Sequence, residues 1–491
     1  MGSHSEKSLS GSQDDVTKPQ AGHGAVVQVP SGAGNEAITW TPREEAKVLR
    51  KVDLFLLPTV WIMSLLAWMD RANLGNASIA GLTAELNLTS TQFSLAISTF
   101  YFGYIAAVPF AMTILSRTKP SITIPAIMGL WGVVTACMGA MTTFPQLIGL
   151  RTLLGALESI FNPGATYLFS NWYRPDEMGK RASYYMSAAQ VGGAFGSLIA
   201  GGVMEHLEGA RGIRGWRWLF IVEGVVTVVA SLLAMLTLPD YPTTWRRLSA
   251  EQKVIATNRL TQVGIVTAKD GDSSAGKKVS VKEAIRISLS DWRTYGIAIA
   301  AIFLCGSLLI VYFYPVLVKG LGYDNPVKAQ YMTVPLWVVG FVFSILSGII
   351  GDRIPQHRAI VIVAGLSTSV ILAIATCFVF DFTARYVLIA FMTGGVWAAF
   401  SGTFALCAEL FQDVPPEVRA LTLGIMSMAS NTGNVYGAYL WPKEHAPKYL
   451  LGFGMVAATA GMTSIIFTAM WLKQQQERRA KMRRETQAEG I

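Results

Sequence analysis

Charge is what this chain has least of. Asp, Glu, Lys and Arg make up 14% of its 491 residues, where soluble domains carry about a quarter. Hydrophobic residues make up 52%, and mean hydropathy is +0.41. That shortage excludes a water-soluble fold and implies an integral membrane protein. Cysteine is scarce too. Cys137, Cys305, Cys377 and Cys407 fall in or beside apolar runs, with no CxxC spacing and no histidine partner. They read as small buried hydrophobes, which excludes a disulfide framework and a thiolate metal site. The five histidines form no ligand pair. The sequence has no Walker loop, no glycine-rich dinucleotide turn and no metal constellation. Nothing indicates an enzyme or a cofactor, so any work must draw on an ion gradient or a substrate gradient. No cleavable signal peptide is visible. Met1 to Trp40 is polar, rich in Gly, Ser and Gln, and reads as a disordered tail.

What is present is a series of twelve apolar segments, each near the roughly 20 residues a helix needs to span hydrocarbon. Their limits fall near 53–80, 91–115, 121–141, 146–169, 180–204, 217–238, 294–318, 330–350, 358–380, 385–408, 419–441 and 449–472. The expected fold is therefore all-α, with twelve transmembrane helices in two six-helix halves. The expected division is a disordered tail over 1–45, an N-terminal half over 46–238, a central loop over 239–293, a C-terminal half over 294–472 and a basic tail over 473–491. In the central loop Leu248 to Leu260 has helical character with Ser249 as its N-cap, and Gly271 to Lys278 looks flexible.

The net charge of +9 does not point to nucleic acid, because Lys and Arg concentrate in the tails and the central loop. With both termini cytoplasmic, 30 of the 40 Lys and Arg lie inside, in line with the positive-inside rule. Asn87-Leu88-Thr89, a glycosylation-type triplet, then lies outside. A faint repeat supports the six-plus-six split. Ser116-Arg117 after the second span corresponds to Asp352-Arg353 after the eighth. Pro175-Asp176-Glu177 leading to Arg181 resembles Pro415-Pro416-Glu417 leading to Arg419. Transporters built from such repeats hold substrate between the halves near the midplane.

Four ionisable residues sit inside otherwise apolar spans: Asp70, Arg71, Arg151 and Glu158. Charge at that depth costs roughly 3 kcal/mol per residue and is kept where it faces a bundle interior or a wet cavity. Arg151 and Glu158 lie two helical turns apart on one face, about 10 Å along the axis. An arginine fork suits a carboxylate, and a desolvated glutamate can exchange a proton, so the two form a workable proton–anion coupling unit. Asp70 and Arg71 diverge by about 100°, which lets Arg71 meet a substrate while Asp70 titrates or holds another helix. The bland alternative is that these groups form buried salt bridges that only pin helices. Gln190, Asn431 and Asn434 could bond a substrate oxygen, and Tyr101, Tyr104 and Trp397 could line the cavity. Asn73 to Ala77 would permit a bend or a wet mouth. Glu223, beside Trp216-Arg217-Trp218, reads as structural. Gly348, Asp352, Arg353 and Arg358 read as a cytoplasmic latch, in which Gly348 permits close packing and Asp352 caps or pairs with the start of the eleventh span.

Several stretches carry a family resemblance: Asp70-Arg71-Ala72-Asn73-Leu74-Gly75-Asn76-Ala77, Arg151 to Glu158 with Asn162-Pro163-Gly164, Asn171-Trp172-Tyr173, and Trp216 to Gly224. Over about 45 to 475 the chain resembles the major facilitator superfamily, and within it the anion:cation symporter family. The similar branch is the fungal one that includes allantoate, nicotinate and pantothenate permeases. The resemblance implies substrate binding and proton coupling for Asp70, Arg71, Arg151 and Glu158. Two departures stand out. Ser116-Arg117-Thr118-Lys119 lacks the Asp of the superfamily's loop motif, and the fifth span lacks the Gly-Pro of drug–proton antiporters, which counts against an efflux pump.

The expectation is a multi-pass secondary transporter of a fungal plasma membrane, or of an endomembrane, acting as a monomer. It would take up a small organic anion, a carboxylate or vitamin-like acid, with protons. Its partners would be that anion, protons and lipid, with no nucleic acid, no metal and no cofactor beyond the proton gradient. The alternatives are an exporter of an acidic secondary metabolite by proton antiport and a nutrient-sensing receptor of the same build.

Overall fold

Where a chain must cross lipid, each backbone polar group has to be satisfied within the segment, and every span expected here is helical. The computed structural model describes residues 40–262, 280–323, 325–354, 357–411 and 414–488, and it contains no strand among them. Of the first of two units, only residues 40–51 are described. Within it Thr41 and Glu44 cap each other reciprocally, at 2.8 and 3.3 Å, and the Trp40 indole donates to Glu45 at 3.2 Å.

The first half holds α1 (Pro42–Ala77), α2 (Ser90–Arg117), α3 (Pro120–Met138), α4 (Phe144–Glu158), α5 (Phe161–Trp172), α6 (Pro175–His206) and α7 (Gly215–Thr237). Two helices of the central loop follow, α8 (Ala250–Thr261) and α9 (Val281–Ser290). The second half holds α10 (Trp292–Leu308), α11 (Tyr314–Gly320), α12 (Pro326–Arg353), α13 (Arg358–Phe378), α14 (Phe382–Leu410), α15 (Pro416–Gly437) and α16 (Leu450–Ala488). Among the described residues, nine helical spans are long and apolar enough to cross a membrane. The other three of the twelve are helical but are interrupted or less apolar. They are the fourth, split into α4 and α5; the fifth, α6; and the eleventh, α15.

The boundaries follow local chemistry. Thr89 and Gln92 form a capping box at α2, and Ser249 and Gln252 form one at α8, as the Ser249 reading expected. Ser280, Asp291, Asn325 and Asp381 cap α9, α10, α12 and α14. The helix α9 was not foreseen, and Gly271 to Lys278 lies outside the described residues. The first span does bend, at a π-turn over Ser78–Leu82 where Gly81 has φ 108°. It does not open a wet mouth there, because Asn73, Leu74 and Asn76 are buried.

Hydrophobicity does not drive helices together in lipid, so close backbone approach must. A Cβ on Gly155 of α4 would strike the Phe100 carbonyl of α2, and one on Gly103 of α2 would strike the Thr152 carbonyl of α4. Gly132 and Gly224 bring α3 and α7 together in the same way.

The loop after α12 departs from expectation in two ways. Asp352 pairs with Arg358 at the start of the ninth span (2.8 Å), not with the eleventh, and Arg358 also pairs with Glu409 of α14 at 2.6 Å. Gly348 faces open space, whereas a Cβ at Gly351 would lie 3.0 Å from the Arg358 guanidinium. Gly351 is therefore the close-packed glycine. Arg353 is exposed. The whole ion-paired cluster lies within the second half. On the other side of the central loop, Arg259 of α8 is buried and ion-paired with Glu177, and it donates to the Trp172 carbonyl at 3.0 Å.

Two glycines of α4 separate packing from propensity. Gly155→Ala should destabilise by about 1–3 kcal/mol, because α2 must move away. Gly149, with nothing within 4 Å of its Cβ, should tolerate alanine and gain up to about 1 kcal/mol from helix propensity. Thermal unfolding of the detergent-solubilised protein checks this. Equal melting points for the two variants would rule out the proposed close contact.

Candidate functional site

One turn of α1 aims its charged neighbours in opposite directions. Arg71 points toward α2 and α4, where its Nε donates to Glu158 Oε2 at 2.7 Å. Its guanidinium carbon lies 5.4 Å from the Trp68 ring, 5.2 Å from Phe100 and 5.5 Å from Tyr104. Such faces attract a cation while excluding water. Asp70 points away, toward α3 and α7, and accepts from Trp131 Nε1 at 3.2 Å and Thr227 Oγ1 at 3.4 Å. Asp70 thus holds other helices, and the divergence expected from adjacent helical positions is realised.

Arg151 lies on the same buried face of α4 as Glu158, and both are 0% exposed. They are not each other's nearest partner. Arg151 Nε donates to the Ala96 carbonyl at 3.3 Å, and its guanidinium carbon stands 5.1 Å from the Phe100 ring. Arg151 and Glu158 share one face, as their spacing implied, and the group that pairs with Glu158 is Arg71 of α1, with Arg151 beside it. The reason is reach: the two-turn separation along α4 leaves room for an arginine entering from α1. The helix also ends at Glu158, with Ser159 as C-cap, before α5 begins at Phe161.

What remains unsatisfied defines the site. Among the described residues, Arg71 Nη2, Arg151 Nη1 and Nη2, Glu158 Oε1 and Tyr104 OH are buried without a hydrogen-bond partner. Buried polar groups are normally paired. Three guanidinium nitrogens without acceptors, next to a half-satisfied carboxylate, make a place for an anion.

The second half contributes the cover. Tyr101 OH and Tyr312 OH lie 2.8 Å apart. Trp397 of α14 packs against Trp68 of α1 at 6.1 Å and against Trp337 of α12 at 5.9 Å between ring centroids. Gln190 does not present a free amide, because its side chain is bonded to the Ser344 hydroxyl at 3.0 Å, across the halves. Asn431 is turned to its own helix, donating to the Ser427 carbonyl at 2.8 Å. Asn434 is half-buried one turn on. Among the described residues no hydrogen bond joins Asn431 or Asn434 to the Arg71 cluster.

Two residues went unforeseen. Tyr312 sits in a 3-10 stretch, Leu309–Phe313, between α10 and α11. Its run of apolar and aromatic residues gives no sign of one hydroxyl aimed inward. Gln330 of α12 donates to the Asn76 carbonyl at 3.0 Å; a lone glutamine in an apolar helix was the available signal.

The halves are joined on the side expected to face outward. Ser90 bonds Glu444 at 2.8 Å, Ser98 bonds the Val435 carbonyl at 2.9 Å, and Tyr331 bonds Glu205 at 2.9 Å. Gly75 of α1 lies against the Tyr312 carbonyl, and Gly193 of α6 against the Trp337 ring. These contacts between the halves all lie to one side of the Gln190–Ser344 bond. With the orientation expected from charge, this is an arrangement joined at its outer end.

Residues 60–438 match the family described as the Major Facilitator Superfamily. The chain belongs to it. An MFS-type transporter, cnsO, of Penicillium expansum is 32% identical, covering 89% of this chain and 84% of its own length. The MFS transporter prlL of a fungal species is 29% identical, with 96% of both chains covered. Solved structures agree in fold. The bacterial homologue of the lysosomal transporter Spinster, inward-facing and unoccupied, has a TM-score of 0.66 at 17% identity, covering 88% of this chain and 97% of its own. The xylose transporter XylE of E. coli, in a partially occluded inward-open form, has a TM-score of 0.60 at 14% identity, with 85% and 97% covered. The protein is a multi-pass membrane transporter, and family and fold point away from an enzyme.

The tyrosine pair gives a test of the outward closure. Tyr312→Phe removes one hydroxyl–hydroxyl bond, worth about 1 kcal/mol, which should raise the outward-open population about fivefold. A Ser94→Cys reporter on α2 should then react several-fold faster with a membrane-impermeant maleimide added outside. An unchanged rate would show that this bond does not hold the outer side.

Proposed function

We propose that this transporter takes up a small organic anion, a carboxylate or vitamin-like acid, together with protons across the fungal plasma membrane. The carrying observation is the set of three guanidinium nitrogens of Arg71 and Arg151 buried without acceptors. A carboxylate would satisfy them bidentately, with Phe100, Tyr101, Tyr104 and Trp397 around its apolar part. The resemblance to the anion:cation symporter family, in its allantoate, nicotinate and pantothenate permease branch, supports the same reading. No cofactor is needed, because the proton gradient supplies the work.

Coupling follows from competition for Arg71. With Glu158 ionised, Arg71 is held by that carboxylate. A proton on Glu158 removes the charge that holds Arg71 and releases the guanidinium to the substrate. Anion and proton then bind more strongly together than singly, which is reciprocal linkage. Moving together down an inward proton gradient, they give net uptake. Asp70 is the next candidate carrier, although its carboxylate is turned away from the anion.

Three measurements test this. Arg151→Lys keeps the charge and loses the fork, so apparent affinity should fall roughly 10- to 100-fold, the worth of a charge-assisted hydrogen bond. Normal affinity in a correctly localised variant would remove Arg151 from the site. Glu158→Gln should abolish accumulation against a gradient while counterflow exchange persists. Accumulation that still responds to a pH gradient would place the proton elsewhere. Direction is decided in vesicles loaded with a candidate carboxylate and given an inward proton gradient. Efflux driven by that gradient would mean antiport and an exporter.

A further inference from the structure

Behind the anion site lies a second group of buried acids that the coupling scheme leaves unused. Glu223 of α7 is 1% exposed, and neither of its oxygens has a hydrogen-bond partner among the described residues. The position beside Trp216 suggested a structural acid near the outer surface. Instead it lies two turns deeper, one turn from Thr227, whose hydroxyl reaches Asp70 Oδ2. Side chains one turn apart on a helix stand about 5–6 Å from each other, so Glu223 and Asp70 face the same small space. Asp70 is the charge that acts on Glu223. The other charged groups acting on Asp70 are Glu158 and Arg151, both on α4. Arg71 is turned to Glu158 on the opposite side of α1, and the facing residues of α3 that enter the argument, Trp131 and Thr135, carry no charge.

The space is polar and lacks a hydrogen. Trp131 and Thr227 both donate to Asp70 Oδ2, which leaves Oδ1 buried with nothing to accept. Thr135, one turn outward of Trp131 on the same face of α3, is 1% exposed, and its hydroxyl is also unpartnered. Asn73, one turn along α1 from Asp70, is buried as well, with neither amide atom partnered. Three carboxylate oxygens and one amide oxygen therefore share the three hydrogens of one hydroxyl and one amide. Isolated buried carboxylates are too costly to persist as such. A single proton turns two repelling acceptors into a donor and an acceptor. The indole N–H aimed at Asp70 presents positive hydrogen to this space, which favours a proton over a metal cation.

We propose that Asp70 and Glu223 form a proton-binding site that holds one proton between two carboxyl groups, on the side of α1 that faces α3 and α7. One carboxylic O–H donates to the other carboxylate, and Thr135 donates to a remaining oxygen. The use of this proton in transport rests on the proton-coupled reading above, but the site itself does not.

The test is infrared difference titration of the purified full-length protein in detergent. Acidification should produce a protonated-carboxyl band that Glu223→Gln removes, that Trp131→Phe shifts, and that Glu158→Gln leaves in place. Thr135→Val should shift the same band and serves where Glu223→Gln does not fold. A band unaffected by Glu223→Gln, or unshifted by Thr135→Val where that is the variant in hand, overturns the proposal. So does a wild-type band that sodium removes at constant pH, which would assign the space to a cation. A band that behaves as expected in a protein whose uptake ignores the proton gradient would support the site while rejecting proton coupling.

Discussion

Everything distinctive in this protein depends on keeping Arg71 charged at hydrocarbon depth. A guanidinium stays protonated under any working condition, so the fold has to surround it. It does so with one carboxylate at 2.7 Å and three aromatic faces within 5.5 Å. Breaking such a pair by removing one partner leaves an uncompensated buried charge and costs about 3–5 kcal/mol. That penalty makes the pair a brace, and under the proposed coupling a switch as well: a proton on Glu158 has to be matched by an anion brought to Arg71. The bracing geometry is set by backbone. Gly155 and Gly103 let α2 and α4 touch, which places Phe100 beside both guanidinium groups and the end of α4 opposite α1.

The two halves divide the labour. The deep charges at the site, Asp70, Arg71, Arg151, Glu158 and Glu223, lie in the first half. The second half answers with aromatic rings and single hydrogen bonds: Tyr312 on Tyr101, Trp397 and Trp337 over Trp68 and Gly193, Gln330 on the Asn76 carbonyl. Each of these is worth about a kilocalorie. Weak, separable contacts suit a surface that must open and close once per cycle, whereas an interface of ion pairs at this depth would not release. The strong ion pairs, Arg181 on Asp53 at 2.7 Å and Arg358 on Asp352 and Glu409, stay within their own halves.

Hydropathy and charge made the helical architecture legible, and with it the four residues worth attention, because charge in lipid has so few explanations. Caps were legible where a single side chain decides them, as at Ser249. Pairing was not. Spacing along α4 put Arg151 and Glu158 on one face, but it could not show that Arg71 enters from another helix and takes Glu158. That choice depends on how closely α1, α2 and α4 approach, and so on glycines whose contacts lie far away in sequence. Gly348 and Gly351 illustrate the same limit. Both sit in the same short motif, and only the arginine packed on one of them separates the two. Tyr312 and Thr135 were invisible for a different reason, since a lone hydroxyl in an apolar helix is ordinary until its surroundings lack a donor.

The Asp70-Arg71 dipeptide ties these threads together. Adjacent helical residues diverge by about 100°, so one turn of α1 forms part of the proposed anion site on one side and part of the proposed acid pocket on the other. Any rotation or shift of α1 that brings Arg71 toward a substrate must also move Asp70 relative to Trp131 and Thr227. On the proposed reading, occupancy on one face alters the hydrogen bonding on the other without a chain of intermediates, because both faces belong to one rigid turn. Coupling of this kind needs no long-range pathway, only a helix stiff enough that its two sides cannot move independently.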